Sequence, residues 1–453
     1  MPDLAPNHIA THQESEGLPT WEEAHTTQIF TIRHIPKAAR EDWARVLGAT
    51  LNDICADPTN KNKWLLLYIL ACCLLPARPK TPEQSASKDV KSACKRWREG
   101  KAVELWEEAI GRMSAKTKGR GRPRKRREKE EGEPTLEEIN ARRAARFCQE
   151  GQLGRAAQAL VSRGVDQTSQ AAKHEMDKKH PQAEVPDPPE EPHSCPPIVV
   201  NSREVYKSIR VLKAGTVSEP SGMRAEHLKE AKGRGEGRGE AALAALTRLV
   251  NVMASGKVPK EVAPYLFGAY LFALVKKTGG HRPVAVGDII RRLTSKCIAY
   301  KVAFPSSQWL RPLQFGVGVR GACEAVVHAT RANLASPTIQ ASHKWSLQTD
   351  FENGFNQVDR KSMFTEVRQR LPDISPWVES CYGVASVLNF GGGSILSTTG
   401  VHQGDPLGSL SRYFTGRLIE SRGKSDWRLG LPPLLHHPTS CSREARRSRG
   451  PPA

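Results

Sequence analysis

The sequence predicts an α+β fold, a helical N-terminal region followed by a unit that combines helices with strands. Three observations carry this. Apolar residues recur at helical spacing through 38–75 and again through 90–113. Trp345, Leu347 and Thr349 alternate with Ser346, Gln348 and Asp350, the two-residue period of a strand. Two further runs, 384–390 and 395–401, flank Gly391-Gly392-Gly393 and read as a hairpin.

Taken in order, residues 1–30 are polar and unpatterned and are expected to be disordered. The helical N-terminal region spans 31–113. Its first part carries Trp43, Val46, Leu47, Leu51 and Ile54 at helical spacing. The most apolar run, 64–75, ends at Pro76 and is shorter than the roughly 20 residues a membrane-spanning helix needs, so it is expected to be a buried helix. A second helix is expected over 90–113, with Trp97, Val103, Trp106 and Ile110 on or near one face. Residues 114–134 form a linker, basic then acidic. Thr135-Leu136-Glu137-Glu138 is a capping box, so a helix is expected from there to about Cys148, and another from Leu153 to Arg163 ended by Gly164. These make 135–164 a helical pair. Residues 165–199, polar and then Pro-rich and acidic, read as a second linker. Residues 200–410 read as one globular unit, and 411–453 as a disordered Arg-rich tail. No internal repeat is evident.

Composition narrows the function. Hydrophobic residues make up 38% of the 453, which suggests folded segments separated by disordered ones. The formal net charge of +20 implies a polyanionic partner, because Lys and Arg release condensed counterions when they meet phosphates. Nucleic acid is the first partner class implied, ahead of a membrane surface. The ten cysteines show no CxxC pair or Cys/His knuckle, which argues against a zinc site or a disulfide framework. Reduced thiols fit a nuclear or cytoplasmic location. Met1-Pro2-Asp3-Leu4 begins no secretory signal.

The chemistry centres on Asp350, a carboxylate at the end of an expected strand, followed by a turn and a helix over 361–371. Nucleotidyl transfer uses magnesium ions held by oxygen ligands and bridged to phosphates, and a strand-end carboxylate suits that task. By itself such an Asp is more often a turn former. Its context is specific. Leu347-Gln348-Thr349-Asp350-Phe351-Glu352-Asn353-Gly354-Phe355-Asn356-Gln357-Val358-Asp359-Arg360 resembles motif A of the reverse transcriptases of non-LTR retrotransposons. Gly400-Val401-His402-Gln403-Gly404-Asp405-Pro406-Leu407-Gly408 resembles their motif B. Upstream, Ser218-Glu219-Pro220-Ser221-Gly222-Met223-Arg224-Ala225-Glu226-His227-Leu228 resembles the start of their fingers region. Lys276-Lys277-Thr278-Gly279-Gly280-His281-Arg282-Pro283-Val284-Ala285-Val286 resembles the basic fingers segment, which 293–299 continues, and Gln314-Phe315-Gly316 resembles the loop after it. The resemblance covers about 200–410.

The resemblance implies the fingers and part of the palm of a right-hand polymerase, without a thumb, the palm an antiparallel sheet backed by helices. It implies an RNA template, a DNA primer or target, and deoxynucleotide substrates. Asp350 would be the catalytic carboxylate holding magnesium, with the Phe351 carbonyl as the next metal ligand. Phe355 would be the steric gate against a ribose 2′-hydroxyl. Arg282 would bind the triphosphate, helped by Lys276 or Lys277, because a guanidinium fits phosphate oxygens. Gln403 and Gly404 would lie against nucleotide and template, the small residues allowing close backbone approach.

The sequence also departs from this family. The aromatic-x-Asp-Asp turn expected after motif B is missing, since no Asp-Asp pair occurs in the chain, and beyond Leu410 the only acidic residues are Glu420, Asp426 and Glu444. Two-metal chemistry draws on carboxylates from both places, so the chain alone is not expected to polymerise. The change of character at Leu410 resembles a frameshift or misjoined exon, and no thumb or endonuclease is recognisable.

The basic block 118–127 contains Arg120, Arg122, Arg124, Lys125, Arg126 and Arg127 around an Arg-Gly-Arg-Pro core that resembles an AT-hook. An extended Arg-Gly-Arg segment is slim enough for the minor groove of A·T-rich DNA. The same string also serves as a nuclear localisation signal or a nonspecific basic tether, and a generic basic linker is the reading short basic runs favour. Three readings of the whole chain follow: a polymerase fragment, a basic nucleic-acid-binding protein without catalysis, and a pseudogene product without function.

Overall fold

The computed structural model describes residues 17–77, 83–119, 134–213, 215, 219–232, 238–311, 314–335 and 352–411. The architecture is α+β. The strand expected over 345–350, the basic block from Arg120 to Arg127 and the tail beyond Ser411 lie outside the described residues.

Helix α1 (Trp21–Thr26) falls within the stretch expected to be disordered. A capping box builds it: the Thr20 hydroxyl accepts from the Glu23 amide at 3.2 Å, and the Thr20 amide donates to the Glu23 carboxylate at 2.7 Å. Ala24, His25 and Ile29 are buried. Four helices follow: α2 (Arg40–Ala56), α3 (Lys61–Leu74), α4 (Glu83–Arg98) and α5 (Ala102–Gly119). Helix α3 is apolar nearly all round and buried accordingly. The single helix expected over 90–113 is instead two. Gly100 adopts a left-handed φ of +88°, and the Gly100 and Lys101 amides donate back to the Trp97 and Arg96 carbonyls, each at 3.1 Å. That pair of bonds is a Schellman termination, which glycine adopts without steric cost.

Helices α6 (Leu136–Gln149) and α7 (Leu153–Leu160) pair through Ala144, Ala156 and Ala159. The Thr135–Glu138 box caps α6 as expected. Helix α8 (Gln170–Lys179) then lies in the segment read from composition as a linker. Next come α9 (Ser202–Val211), α10 (Ala225–Lys232), α11 (Arg238–Ala254), α12 (Ala263–Leu266), strands β1 (Ala269–Val275) and β2 (His281–Gly287), and helices α13 (Ile289–Leu310), α14 (Ala322–Ala335), α15 (Arg360–Arg370) and α16 (Ser375–Tyr382). The described chain closes with the hairpin of β3 (Ser386–Phe390) and β4 (Gly393–Ser397).

One core runs from Ala24 to Leu410, so the N-terminal helices do not stand apart from the later unit. Helix α2 crosses α11 where Gly48 meets Ala242, and the Trp43 indole donates to the His227 carbonyl at 3.1 Å. Fully buried Trp43, Trp64, Trp97 and Trp377 are the largest side chains in that core. Burial of a large apolar side chain stabilises by about 1.5–3 kcal/mol each.

The four-stranded sheet has the order β2-β1-β3-β4. It is mixed rather than wholly antiparallel: β1 pairs β2 antiparallel and β3 pairs β4 antiparallel, but β1 and β3 run parallel through Ala269–Leu388 and Tyr270–Asn389. A parallel neighbour needs a long crossover, and the chain from α13 to α16 supplies it. Because β3 pairs only the start of β1, the rest of that β1 edge is open, and residues 164–167 fill it. The Asp166 amide donates to the Ala273 carbonyl at 2.9 Å and the Gln167 side chain to the Leu271 carbonyl at 2.9 Å. Ala172 and Met176 of α8 complete the core on the sheet. The Pro-rich composition of 165–199 therefore marks a strap laid on the fold, ordered by its backbone bonds to the sheet. No described helix is long and apolar enough to cross a membrane.

Candidate nucleotide and nucleic-acid site

Three of the segments singled out in the sequence meet. The turn Glu352–Gln357 packs directly on the loop 399–405: the Val401 amide donates to the Phe355 carbonyl at 2.8 Å, the Gly400 amide to Val358 at 3.0 Å, and the Thr399 hydroxyl to Asn356 at 2.9 Å. A Cβ on Gly400, whose φ is +65°, would stand 2.3 Å from the Asn356 carbonyl carbon. The same loop then reaches β2. A Cβ on Gly404 would lie 2.4 Å from the Ala285 carbonyl oxygen. Ala285 is three residues beyond Arg282 on β2, a distance of about 10 Å. Lys276 and Lys277 sit in the turn between β1 and β2, which Gly279 and Gly280 close with positive φ.

Among the expected site residues, Arg282, Lys277, Gln403 and Gly404 are exposed, Lys276 is half-buried, and Phe355 is half-buried against the main core. Asp350 and Phe351 lie outside the described residues. The close approach at Gly404 is to a group of the chain itself, the Ala285 carbonyl. Gly404→Ala is expected to lower stability by about 1–3 kcal/mol, the cost of forcing a methyl into a filled contact, read from the shift in a urea unfolding midpoint. An unchanged midpoint would show that the loop moves aside freely.

Asn353 and Asn356 hold the turn from the other side. Asn353 has φ +54°, a left-handed conformation that Asn tolerates better than most residues. Its side chain donates to the Lys179 carbonyl at 2.7 Å, and Asn356 donates to the same oxygen at 3.1 Å. The Lys179 ammonium in turn bonds the His281 carbonyl, beside Arg282. Helix α8 thus ties the turn to β2, a link invisible to a reading that treated 165–199 as a linker.

Two buried arginines fix the loop, and the sequence reading missed both. Arg360, 2% exposed, donates to the carbonyls of Gly400, Tyr382, Val384, Ser397 and Thr399 at 3.0–3.3 Å. Burial pulls its pKa down to about 10, which leaves it charged at neutral pH. Arg291 of α13, also 2% exposed, donates to His402 Nδ1 at 2.7 Å and to Asp405 at 3.1 Å. Tyr382 donates to the same Asp405 oxygen at 2.8 Å, while the Leu407 amide takes the other at 3.0 Å. Both guanidinium groups stand 5.4 Å from the Tyr382 ring centroid. A guanidinium has no acceptor, so His402 Nδ1 must be unprotonated, and its Nε2–H faces the Ser386 hydroxyl at 3.1 Å. Burial and the two arginines push His402 well below its usual pKa, in accord with that tautomer.

The segment around Ser221 plays a supporting part. The Ser221 hydroxyl bonds Asp288, the N-cap of α13, whose other oxygen accepts from the Ile290 amide at 2.8 Å. Glu219 accepts from Arg292 at 2.7 Å, and burial raises its carboxyl well above the usual range. These contacts set the start of α13 and so the position of Arg291.

The donor set for a pair of magnesium ions is not assembled among the described residues: no group of three or more His, Cys, Asp or Glu side chains arranged to hold a metal ion occurs there. Asp405, the carboxylate of the loop itself, is consumed by Arg291, Tyr382 and the Leu407 amide. Glu352 is exposed at the head of the turn.

No protein-family model matches the chain, and no curated protein sequence is similar to it.

Proposed function

We propose that this chain is a fragment of an RNA-directed DNA polymerase of the non-LTR retrotransposon kind, comprising fingers and part of a palm, which engages template, primer and nucleotide but does not join nucleotides by itself. The reading rests on one observation above others. Segments 276–286, 352–360 and 400–408, each similar in sequence to a different polymerase motif, are remote along the chain, yet the 400–408 loop touches both of the others. In the sequence Asp350 comes two residues before Glu352, the first residue of the turn that meets the loop. Arg282, Lys276 and Lys277 supply cations on the neighbouring strand and turn, where a triphosphate would be held.

Catalysis would need further carboxylates beside Asp350, and Asp405 is already committed to Arg291. The consumed Asp405 and the net charge of +20 favour, as a second reading, a protein that binds nucleic acid without chemistry. Magnesium would be recruited through Asp350 only if such carboxylates are supplied.

The test is primer extension on an RNA template, run beside equilibrium binding of the same template–primer. The purified chain is expected to bind the duplex in a salt-dependent manner and to extend no primer. Template-dependent extension that disappears in Asp350→Ala would overturn the inactive part of the proposal and place catalysis at this residue. Extension unchanged by Asp350→Ala would show that the activity comes from elsewhere. Failure of the folded chain to bind the template–primer would sink the polymerase reading.

A further inference from the structure

A second surface, away from the loop described above, combines exposed rings with cations. Tyr300 and Phe304 occupy successive turns of α13 and are 46% and 70% exposed. Single exposed apolar residues are ordinary on any protein. Here two rings share one stripe, and Lys296 continues it one turn earlier, its ammonium 5.2 Å from the Tyr300 ring centroid. Lys207 of α9 reaches the same ring at 5.4 Å. On α9, Arg203, Lys207 and Arg210 fall at helical spacing and are exposed, while Val205, Ser208 and Ile209 bury the opposite face in the core. A row of cations on one helix therefore borders a row of rings on the next. The carboxylate at this edge, Glu204, is taken up by Lys301 at 3.5 Å and by the Asn201 amide at 2.8 Å, which leaves the cation row dominant.

We propose that this α9–α13 face binds single-stranded nucleic acid, stacking bases on Tyr300 and Phe304 and holding phosphates with Lys207, Lys296, Arg203 and Arg210. The cations select a polyanion, and the rings select one with unpaired bases. A duplex keeps its bases stacked on each other and offers the surface only phosphates, whereas a single strand gives up bases to aromatic platforms. Along the helix the two rings stand about 6 Å apart, which suits successive bases of an extended strand. When a base takes the Tyr300 face, the two lysines release the ring and turn to the flanking phosphates. The exchange is favourable because a lysine over an exposed ring contributes less than a stacked base does. Counting 1.5 Å per residue from Arg291, Tyr300 lies about 14 Å and Phe304 about 20 Å along α13, so the surface is separate from the 400–408 loop. It would serve a polymerase fragment and a non-catalytic binder alike, and does not depend on nucleotide joining.

The experiment measures affinity of the full chain for an oligo(dT) and for a duplex of equal length across a salt series. The Y300A/F304A double variant is expected to bind oligo(dT) at least 10-fold more weakly, with duplex affinity, salt slope and unfolding midpoint unchanged, since both rings are exposed. The K207Q/K296Q variant is expected to reduce the slope of log K against log salt by about 1.4 for the single strand, about 0.7 per phosphate contact. Unchanged oligo(dT) affinity in Y300A/F304A, or an equal loss for duplex and single strand, would overturn the proposal. So would a change in oligomeric state without a change in oligonucleotide binding, which would assign the face to a second copy of the chain. Failure to bind the template–primer with this oligo(dT) binding intact would remove the polymerase reading alone.

Discussion

Arg360→Met is expected to destabilise the protein by roughly 3–5 kcal/mol, enough to consume much of the 5–15 kcal/mol that holds an ordinary domain together. The guanidinium reaches five carbonyls drawn from the end of α16, the bend between α16 and β3, the end of β4 and the loop 399–400. Methionine fills a similar volume but donates nothing. Buried carbonyls left without a donor cost about 1–3 kcal/mol each, and the second lone pair and the sheet ladder recover part of that sum. Arg360→Lys should rescue less than half of the loss, because an ammonium at one point cannot span oxygens that a planar fork reaches on two sides. Urea unfolding of the three proteins is the measurement. A loss below about 1 kcal/mol for the methionine variant would mean that water or a shifted backbone satisfies these carbonyls, and that Arg360 is not what holds the loop.

Stability should also fall steeply between pH 6.5 and 4. His25 and His227 are buried and neutral, and burial depresses the pKa of each to about 4; burial and the neighbouring arginines also hold His402 well below its usual value. In the unfolded chain these groups titrate near 6.5, so over that window the unfolded state binds more protons. Their contribution is complete above pH 6.5 and is lost as pH falls toward the folded values, by up to about 3 kcal/mol for each of the first two. Geometry gives the reason. His227 Nε2 donates to the Ile32 carbonyl at 2.8 Å, and its Nδ1 accepts from the Arg224 amide at 3.2 Å. His402 Nδ1 accepts from Arg291. A second proton on either ring would face a donor that cannot accept. At His25, Nε2 donates to the Val387 carbonyl at 3.1 Å and Nδ1 meets the Tyr68 hydroxyl at 2.6 Å. The buried carboxyls of Glu219 and Asp288, raised by burial, act in the opposite sense and favour the fold at low pH. Denaturant unfolding at half-unit pH steps reads the balance. The expected slope exceeds 1.4 kcal/mol per pH unit, more than one proton, and His227→Gln should reduce it by one proton's share. A flat profile from 6.5 to 4.5 would remove the claim that these rings stay neutral in the fold.

Several elements were legible because their cause is local. The spacing of Trp43, Val46, Leu47, Leu51 and Ile54 is enough to specify an amphipathic helix, and α2 carries all five on its buried side. Thr135 and Glu138 cap α6, and glycines between two apolar runs turn β3 into β4 with Gly391 and Gly392 at positive φ. The same local rule was available at Thr20 and Glu23 but was masked by the polar text around it, which read as disorder. At Gly100 the apolar period continues across the break, so periodicity alone joined two helices that a left-handed glycine separates.

The sequence by itself determined the α+β class, helices α2, α3, α6, α7 and α15, the hairpin, and the set of segments that resemble polymerase motifs. Tertiary structure decided what those segments do to one another. Nothing near Arg360 in the chain distinguishes it from a solvated surface charge; its carbonyl partners lie 22 to 40 residues further on. Gly404 announces a close approach, but only the fold names Ala285 as the group approached. Residues 165–199 have a linker's composition and become a strap because β3 leaves most of one β1 edge unpaired. Period, caps and turns act over a few residues and are written in the local sequence. Partners for buried charges and open strand edges come from distant residues, and they exist only once the chain has closed around them.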